Sequence, residues 1–446
     1  FSMPDFQSLP GFREFYPEDC AARNGLFRAW RAAARRFGFA EYDAPVLEPL
    51  ELYQEKSGEE IRSQLFEFTD KGGRNVALRP EMTPSLARLV AAKAGSLRKP
   101  LKWFSIGEMY RYEKPQKGRL RSFYQFNADI LGEAGPAADA ECIALLVEAL
   151  KESGLDQGEF EVRISDRKWW FHFLASLGLD ESKSAEVLSI IDKAGRETPD
   201  AIKKKLEPYF GASTEANWNA IKEILSDASA LATATEKLSS GVGANATTAR
   251  FAELRELENR LQQLGVSSFV KRDFSIVRGL AYYTGFVFEA YQTVGTARAL
   301  AGGGRYDDLL KKLGGVDLPA VGFAIGDVTM TDLLKELNRP LRTEGKLDVY
   351  LVIGSDAVRA QALELVGKLR AAGVAVDYPL KDEKFAKQFK AADQVGARLA
   401  LILGPDEAAQ NQVKIKDMLS GVEVVVPNDA TLPANVREIA EKGLPA

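Results

Sequence analysis

The side chains of this 446-residue chain whose types and spacing could do chemistry are Glu81, Arg111, Glu113, Arg119, Gln125, Asp129, Arg278 and Tyr283. A carboxylate beside a threonine hydroxyl, as at Glu81 and Thr83, can hold an ammonium group, and arginines grip carboxylate and phosphate oxygens, bidentately where geometry allows. Such a set suits a zwitterion bound together with a polyphosphate. If a substrate oxygen attacks the α-phosphate of ATP, no protein nucleophile or general base is needed, because positioning and charge stabilisation carry the reaction. That is adenylation chemistry.

Composition removes the alternatives that need other residues. The single histidine, His172, would have to carry any Ser-His-Asp or multi-histidine metal chemistry alone, and its setting, WWFHFL, reads as a core or interface imidazole. Cys20 and Cys142 are the only cysteines, which gives no disulfide framework and no thiolate zinc motif. No metal site built from protein side chains is expected. The formal charge of −4 leaves nucleic-acid contact to local basic patches such as Lys102 to Arg121. No apolar run reaches the length of a membrane span, and the N-terminus lacks a basic region followed by an apolar segment, so a cytoplasmic protein is expected.

The elements that must position these groups start with a hairpin. From residue 122, Phe123, Gln125, Asn127 and Asp129 alternate with Tyr124, Phe126, Ala128 and Ile130, predicting a strand with one polar and one core face. Leu101 to Met109 is the strand before it, and Lys114 to Arg121 is a basic loop between the two. In LRPEMTP, Thr83 is placed to cap a helix that has Pro84 at its first position. Consecutive glycines in AGGGRYD imply close approach of backbone or ligand, without the spacing of a Walker loop or a dinucleotide fingerprint.

An α+β domain built on an antiparallel sheet is therefore expected over residues 4–168 and 266–337. Residues 169–265 read as an all-helical insertion, rich in Ala, Lys and Glu with repeated caps such as Thr198-Pro199-Asp200. A charged linker, 338–345, leads to strands and helices that alternate over 346–446. There the run LALIL is typical of a parallel strand covered on both faces, so this is a C-terminal α/β domain.

These motifs together resemble the histidyl-tRNA synthetase family of class II aminoacyl-tRNA synthetases along nearly the whole chain. The resemblance implies activation of histidine with ATP and transfer to tRNA(His), with Mg2+ accompanying ATP, in a homodimer whose interface includes Pro45. It implies that Glu81, Thr83, Gln125, Asp129, Tyr282, Tyr283, Arg278 and Tyr306 bind histidine, and that Arg111, Glu113, Arg119, Phe123 and Arg305 bind ATP. Arg111 and Arg278 are the catalytic pair, and Lys114, Gln116 and Arg121 approach the tRNA acceptor end. The C-terminal domain resembles the family's anticodon-binding domain. Two departures stand out: Ala281 occupies a position that is commonly Asp, and Thr329 occupies that of an arginine in the third class II motif. An alternative is the family's non-catalytic relative, the histidine-sensing regulatory subunit of ATP phosphoribosyltransferase.

Overall fold

The structure is a computed structural model that describes residues 7–54, 63–194, 197–226, 234, 244–276, 282–295, 299–339 and 347–443. The chain divides into two compact units, 1–342 and 343–446.

The first unit is built on eight strands: β1 (Ala40–Glu41), β5 (Leu101–Tyr110), β6 (Ser122–Leu131), β7 (Phe160–Asp166), β8 (Val270–Arg272), β9 (Phe286–Gln292), β10 (Ala299–Arg305) and β11 (Ala320–Gly326). Their order is β1-β5-β6-β11-β10-β9-β7-β8, and only the two edge pairs, β1 with β5 and β7 with β8, are parallel. A separate small sheet pairs β2 (Leu47–Pro49), β4 (Asn75–Leu78) and β3 (Phe66–Thr69).

Period two decides the two faces of the large sheet. Phe126, Ala128 and Ile130 point into a core that includes Trp30 of helix Pro17–Arg36 and the apolar side chains of helix Pro136–Glu152. The Trp30 ring stacks on Phe126 at 5.7 Å between centroids. With helices covering that face, the residues between these three point to the opposite side, where the cavity lies.

The segment 167–265 is helical throughout its described part, with helices Arg167–Ser176, Ser184–Ile191, Pro199–Phe210, Thr214–Ser226 and Ala244–Gln263. Its apolar stripe is continuous with the sheet's core, since Val187, Ile202, Trp218 and Leu254 belong to the same cluster as Phe288. Helix Ala244–Gln263 packs on Pro136–Glu152, and Arg250 of that helix binds Asp166 at the end of β7 at 2.6 Å and 2.8 Å.

The second unit carries β12 (Val349–Ile353), β13 (Val376–Asp377), β14 (Leu399–Leu403), β15 (Gln412–Asp417) and β16 (Glu423–Pro427), in the order β13-β12-β14-β15-β16. The first three are parallel and the last two antiparallel. All five residues of LALIL are buried, as a strand covered on both faces must be.

Candidate active site

A cavity of about 470 Å³ opens on the face of the large sheet opposite helices Pro17–Arg36 and Pro136–Glu152. Glu81, Thr83, Arg111, Glu113, Arg119, Phe123, Gln125, Asp129, Tyr282, Tyr283 and Tyr306 all line it. Arg278 and Ala281 lie outside the described residues.

The floor is β6, whose alternation presents Phe123, Gln125, Asn127 and Asp129 on one face. Asp129 sits at the deep end, 4% exposed. The Tyr306 hydroxyl donates to its Oδ1 at 2.5 Å. Burial pushes the Asp129 carboxyl up to about 7, against the Tyr306 hydrogen bond, which favours the ionised form. Only a glycine fits across the strand pair: a Cβ on Gly322, the register partner of Asp129, would lie 1.9 Å from Oδ1. The glycine run on β10 has the same kind of cause. A Cβ on Gly303 would fall 2.5 Å from the Gly322 carbonyl oxygen, while Gly302 lines the cavity.

Glu81 and Tyr282 form a second buried pair, the tyrosine hydroxyl donating to Oε2 at 2.9 Å. Burial first, and then the Glu81 charge, raise the Tyr282 hydroxyl well above the ordinary tyrosine range. The segment leading to Glu81 is anchored by Arg79, two residues before it. Arg79 turns away from the cavity, 2% exposed, and donates to the carbonyls of Glu108 at 2.9 Å and Ala44 at 2.7 Å and to Asp43 at 3.0 Å. Gly107 makes room for it, because a Cβ there would come within 2.6 Å of Arg79 Nη2. Thr83 does not cap the helix: it is the first residue of Thr83–Lys93, the preceding residue is Met82, and no side chain caps the end. Its hydroxyl instead approaches Tyr282.

Arg111 lies over Phe123, at the end of β6 away from Asp129. Its Nε donates to the Pro80 carbonyl at 3.0 Å, and its guanidinium lies over the Phe123 ring at 5.2 Å. Beyond it, Arg119 Nη1 meets Glu113 Oε2 at 3.2 Å. Lys114 and Gln116 are exposed on the loop, which turns through reciprocal Gln116–Arg119 backbone hydrogen bonds of 3.0 Å and 2.9 Å. Arg121 is engaged elsewhere, Nε with the Glu113 carbonyl at 3.1 Å and the guanidinium over Tyr112 at 4.4 Å.

Arg305 corrects the expectation that it binds ATP. It is 2% exposed, outside the cavity lining, and its guanidinium is surrounded by acceptors: Asp139 at 2.5 Å, the carbonyls of Glu133 and Gly135 at 3.0 Å each, and Asp307 at 3.2 Å. An arginine so placed has no donor left for phosphate. Thr329 and Val328 do line the cavity. Asp327 sets their position by accepting from the Tyr124 N–H and from Arg13, both at 2.8 Å.

Gln64, Asn127, Asp192 and Glu289 also line the cavity and were not singled out as site residues from sequence. Asn127 was visible in the alternation. Asp192 comes from the helical segment, whose approach to the cavity no local pattern announces. Among the described residues, no group of three or more His, Cys, Asp and Glu side chains is arranged to hold a metal ion, and no helix is long and apolar enough to cross a membrane.

Buried carboxylates and arginines lining one sheet-borne cavity define a site for a small cationic or zwitterionic ligand held beside a polyanion. Comparison with known proteins narrows this class. Residues 11–328 match the family model described as "Histidyl-tRNA synthetase", and residues 348–438 match "Anticodon binding domain". The chain is 55% identical to a histidine–tRNA ligase from Opitutus terrae, over 96% of this chain and 97% of that one. It is 38% identical to one from Natronomonas pharaonis, over 97% and 98% respectively. The crystal structure of histidyl-tRNA synthetase from Nostoc sp. PCC 7120 matches with a TM-score of 0.80 at 26% identity, covering 97% of this chain and 99% of that one. The chain belongs to the histidyl-tRNA synthetase family.

Proposed function

We propose that this protein is a histidine–tRNA ligase that forms histidyl-adenylate from histidine and ATP and transfers the histidyl group to tRNA(His). The observation that carries the reading is that two buried tyrosine–carboxylate pairs, Tyr282–Glu81 and Tyr306–Asp129, face one cavity that Arg111 and Arg119 also line. Nothing in the comparisons favours the regulatory-subunit alternative, and relatives at 55% and 38% identity are ligases by name.

In this reading Glu81 and Thr83 receive the α-ammonium of histidine, and Asp129 with Tyr283 faces its imidazole. The carboxylate, beside Gln125 and Arg278, attacks the α-phosphate. Arg111 stabilises the charge that develops there, and pyrophosphate leaves. Glu113 and Phe123 hold the adenine and Arg119 the polyphosphate. A hydroxyl of the terminal tRNA ribose then attacks the activated carbonyl and AMP leaves. Lys114, Gln116 and Arg121 stand on the loop facing the acceptor end. Magnesium enters with ATP as part of the substrate.

The domain assignment follows: a catalytic domain of 4–168 and 266–337, a helical insertion of 169–265, a linker of 338–345 and an anticodon-binding domain of 346–446. A cytoplasmic homodimer with Pro45 at its interface extends the same reading. The test is ATP–pyrophosphate exchange with purified protein and magnesium. Exchange that depends on histidine supports the reading, and its absence removes it.

A further inference from the structure

Asn127 lies on β6 midway between Gln125 and Asp129, on the same face, and lines the cavity. It is 5% exposed, and its only hydrogen bond among the described residues runs from Nδ2 to the Gln125 carbonyl at 3.5 Å, the outer limit of such a contact. Its cross-strand partner on β5 is Ser105, which is fully buried and whose hydroxyl has no partner among the described residues. Its partner on the other side is Ala324 of β11, whose side chain has nothing to donate or accept. A carboxamide offers two donors and an acceptor oxygen, and a buried one left this poorly paired calls for a ligand or a water. Asn127 thus sits at the centre of the floor with most of its hydrogen-bonding capacity unused, beside a buried Ser105 hydroxyl that no described neighbour engages.

The direction of the one weak bond narrows what Asn127 meets. Nδ2 leans toward Gln125, the end of the floor that leads to Phe123 and Arg111, and away from Asp129. If the ring of a bound histidine faces Asp129 and its carboxylate lies beside Gln125, as proposed above, that carboxylate falls on the side of Asn127 to which Nδ2 leans. We propose that Asn127 is a substrate-contacting residue whose Nδ2 donates to the α-carboxylate of bound histidine. This rests on reading the cavity as the histidine site.

The test compares L-histidine with histidinol, which keeps the ammonium and imidazole and lacks the carboxylate, by calorimetric titration of the full-length protein. For N127A the Kd of histidine is expected to rise about ten- to a hundredfold, the range for a hydrogen bond to a charged group, while that of histidinol changes less than about threefold. N127D, which sets one carboxylate against another, is expected to lose more for histidine and again spare histidinol. Retained histidinol binding also reports an intact site, and N127S carries the same comparison if N127A does not fold. Equal losses for both ligands, or an unchanged Kd for histidine, would overturn the assignment. A wild-type protein that binds neither ligand would instead overturn the reading of the cavity.

Discussion

The Tyr306 hydroxyl donates to Asp129 Oδ1 at 2.5 Å, and that same oxygen occupies space that a side chain on Gly322 would claim. The two contacts fix one carboxylate at the deep end of the cavity from opposite sides. Gly322→Ala must therefore displace Asp129, since a Cβ 1.9 Å from an oxygen cannot be accommodated. The expected result is histidine affinity reduced at least tenfold, with ATP binding changed much less. Unaltered histidine affinity in a folded G322A protein would mean that Asp129 does not set the site.

The protonation of Asp129 should be visible in stability. Its carboxyl stands at about 7 in the folded protein, raised by burial, against roughly 3.9 in an unfolded chain. Between those values the folded state binds the extra proton, so this group's contribution is fully present below about pH 4 and is lost as pH rises through about 7. Asp129→Asn removes the ionisation. In the absence of histidine, the variant should gain on the wild type by up to a few kcal/mol from pH 5 to pH 8, read from urea midpoints. A constant difference across that range contradicts the assignment.

Arg305 and Arg119 should behave oppositely. Arg305 and Asp139 are both buried, and removing only the arginine leaves an uncompensated carboxylate, a loss of about 3–5 kcal/mol. Arg305→Ala is expected to lower Tm by many degrees, with part of the loss recovered in the double variant with Asp139→Ala.

Arg119 is half exposed, and its pairing with Glu113 at 3.2 Å is of the surface kind, worth about 0–1 kcal/mol. ATP can break that pair at little cost. Arg119→Ala should leave Tm within about 2 °C and raise the apparent KM for ATP at least tenfold. A large fall in Tm with an unchanged KM would reverse the two roles.

The contrast between the two arginines shows how far the residues alone could be read. The β6 floor was legible because period two is a property of the strand itself, and Phe123, Gln125 and Asp129 fall on one face whatever surrounds them. The covered strand LALIL was legible for a similar reason. What failed was the direction of a side chain near a cavity. Arg305 follows a glycine run beside the site, but an acid from helix Pro136–Glu152, Asp139, turns it inward, and no local pattern encodes that partner. Thr83 has the type and position of a cap, yet the helix begins at Thr83 itself and leaves the hydroxyl to the cavity. Asn127 was placed on the correct face, but its poor pairing appears only when Ser105 and Ala324 are seen beside it. Local period is carried by the chain; partners distant in sequence are set by packing.

Transfer of histidine to tRNA is measured directly by aminoacylation. Purified protein, ATP, magnesium, labelled histidine and tRNA(His) are expected to yield acid-precipitable histidyl-tRNA, with no product when ATP is omitted or another amino acid replaces histidine. Histidine binding without any charging of tRNA would mean that the protein is a histidine sensor and not a ligase.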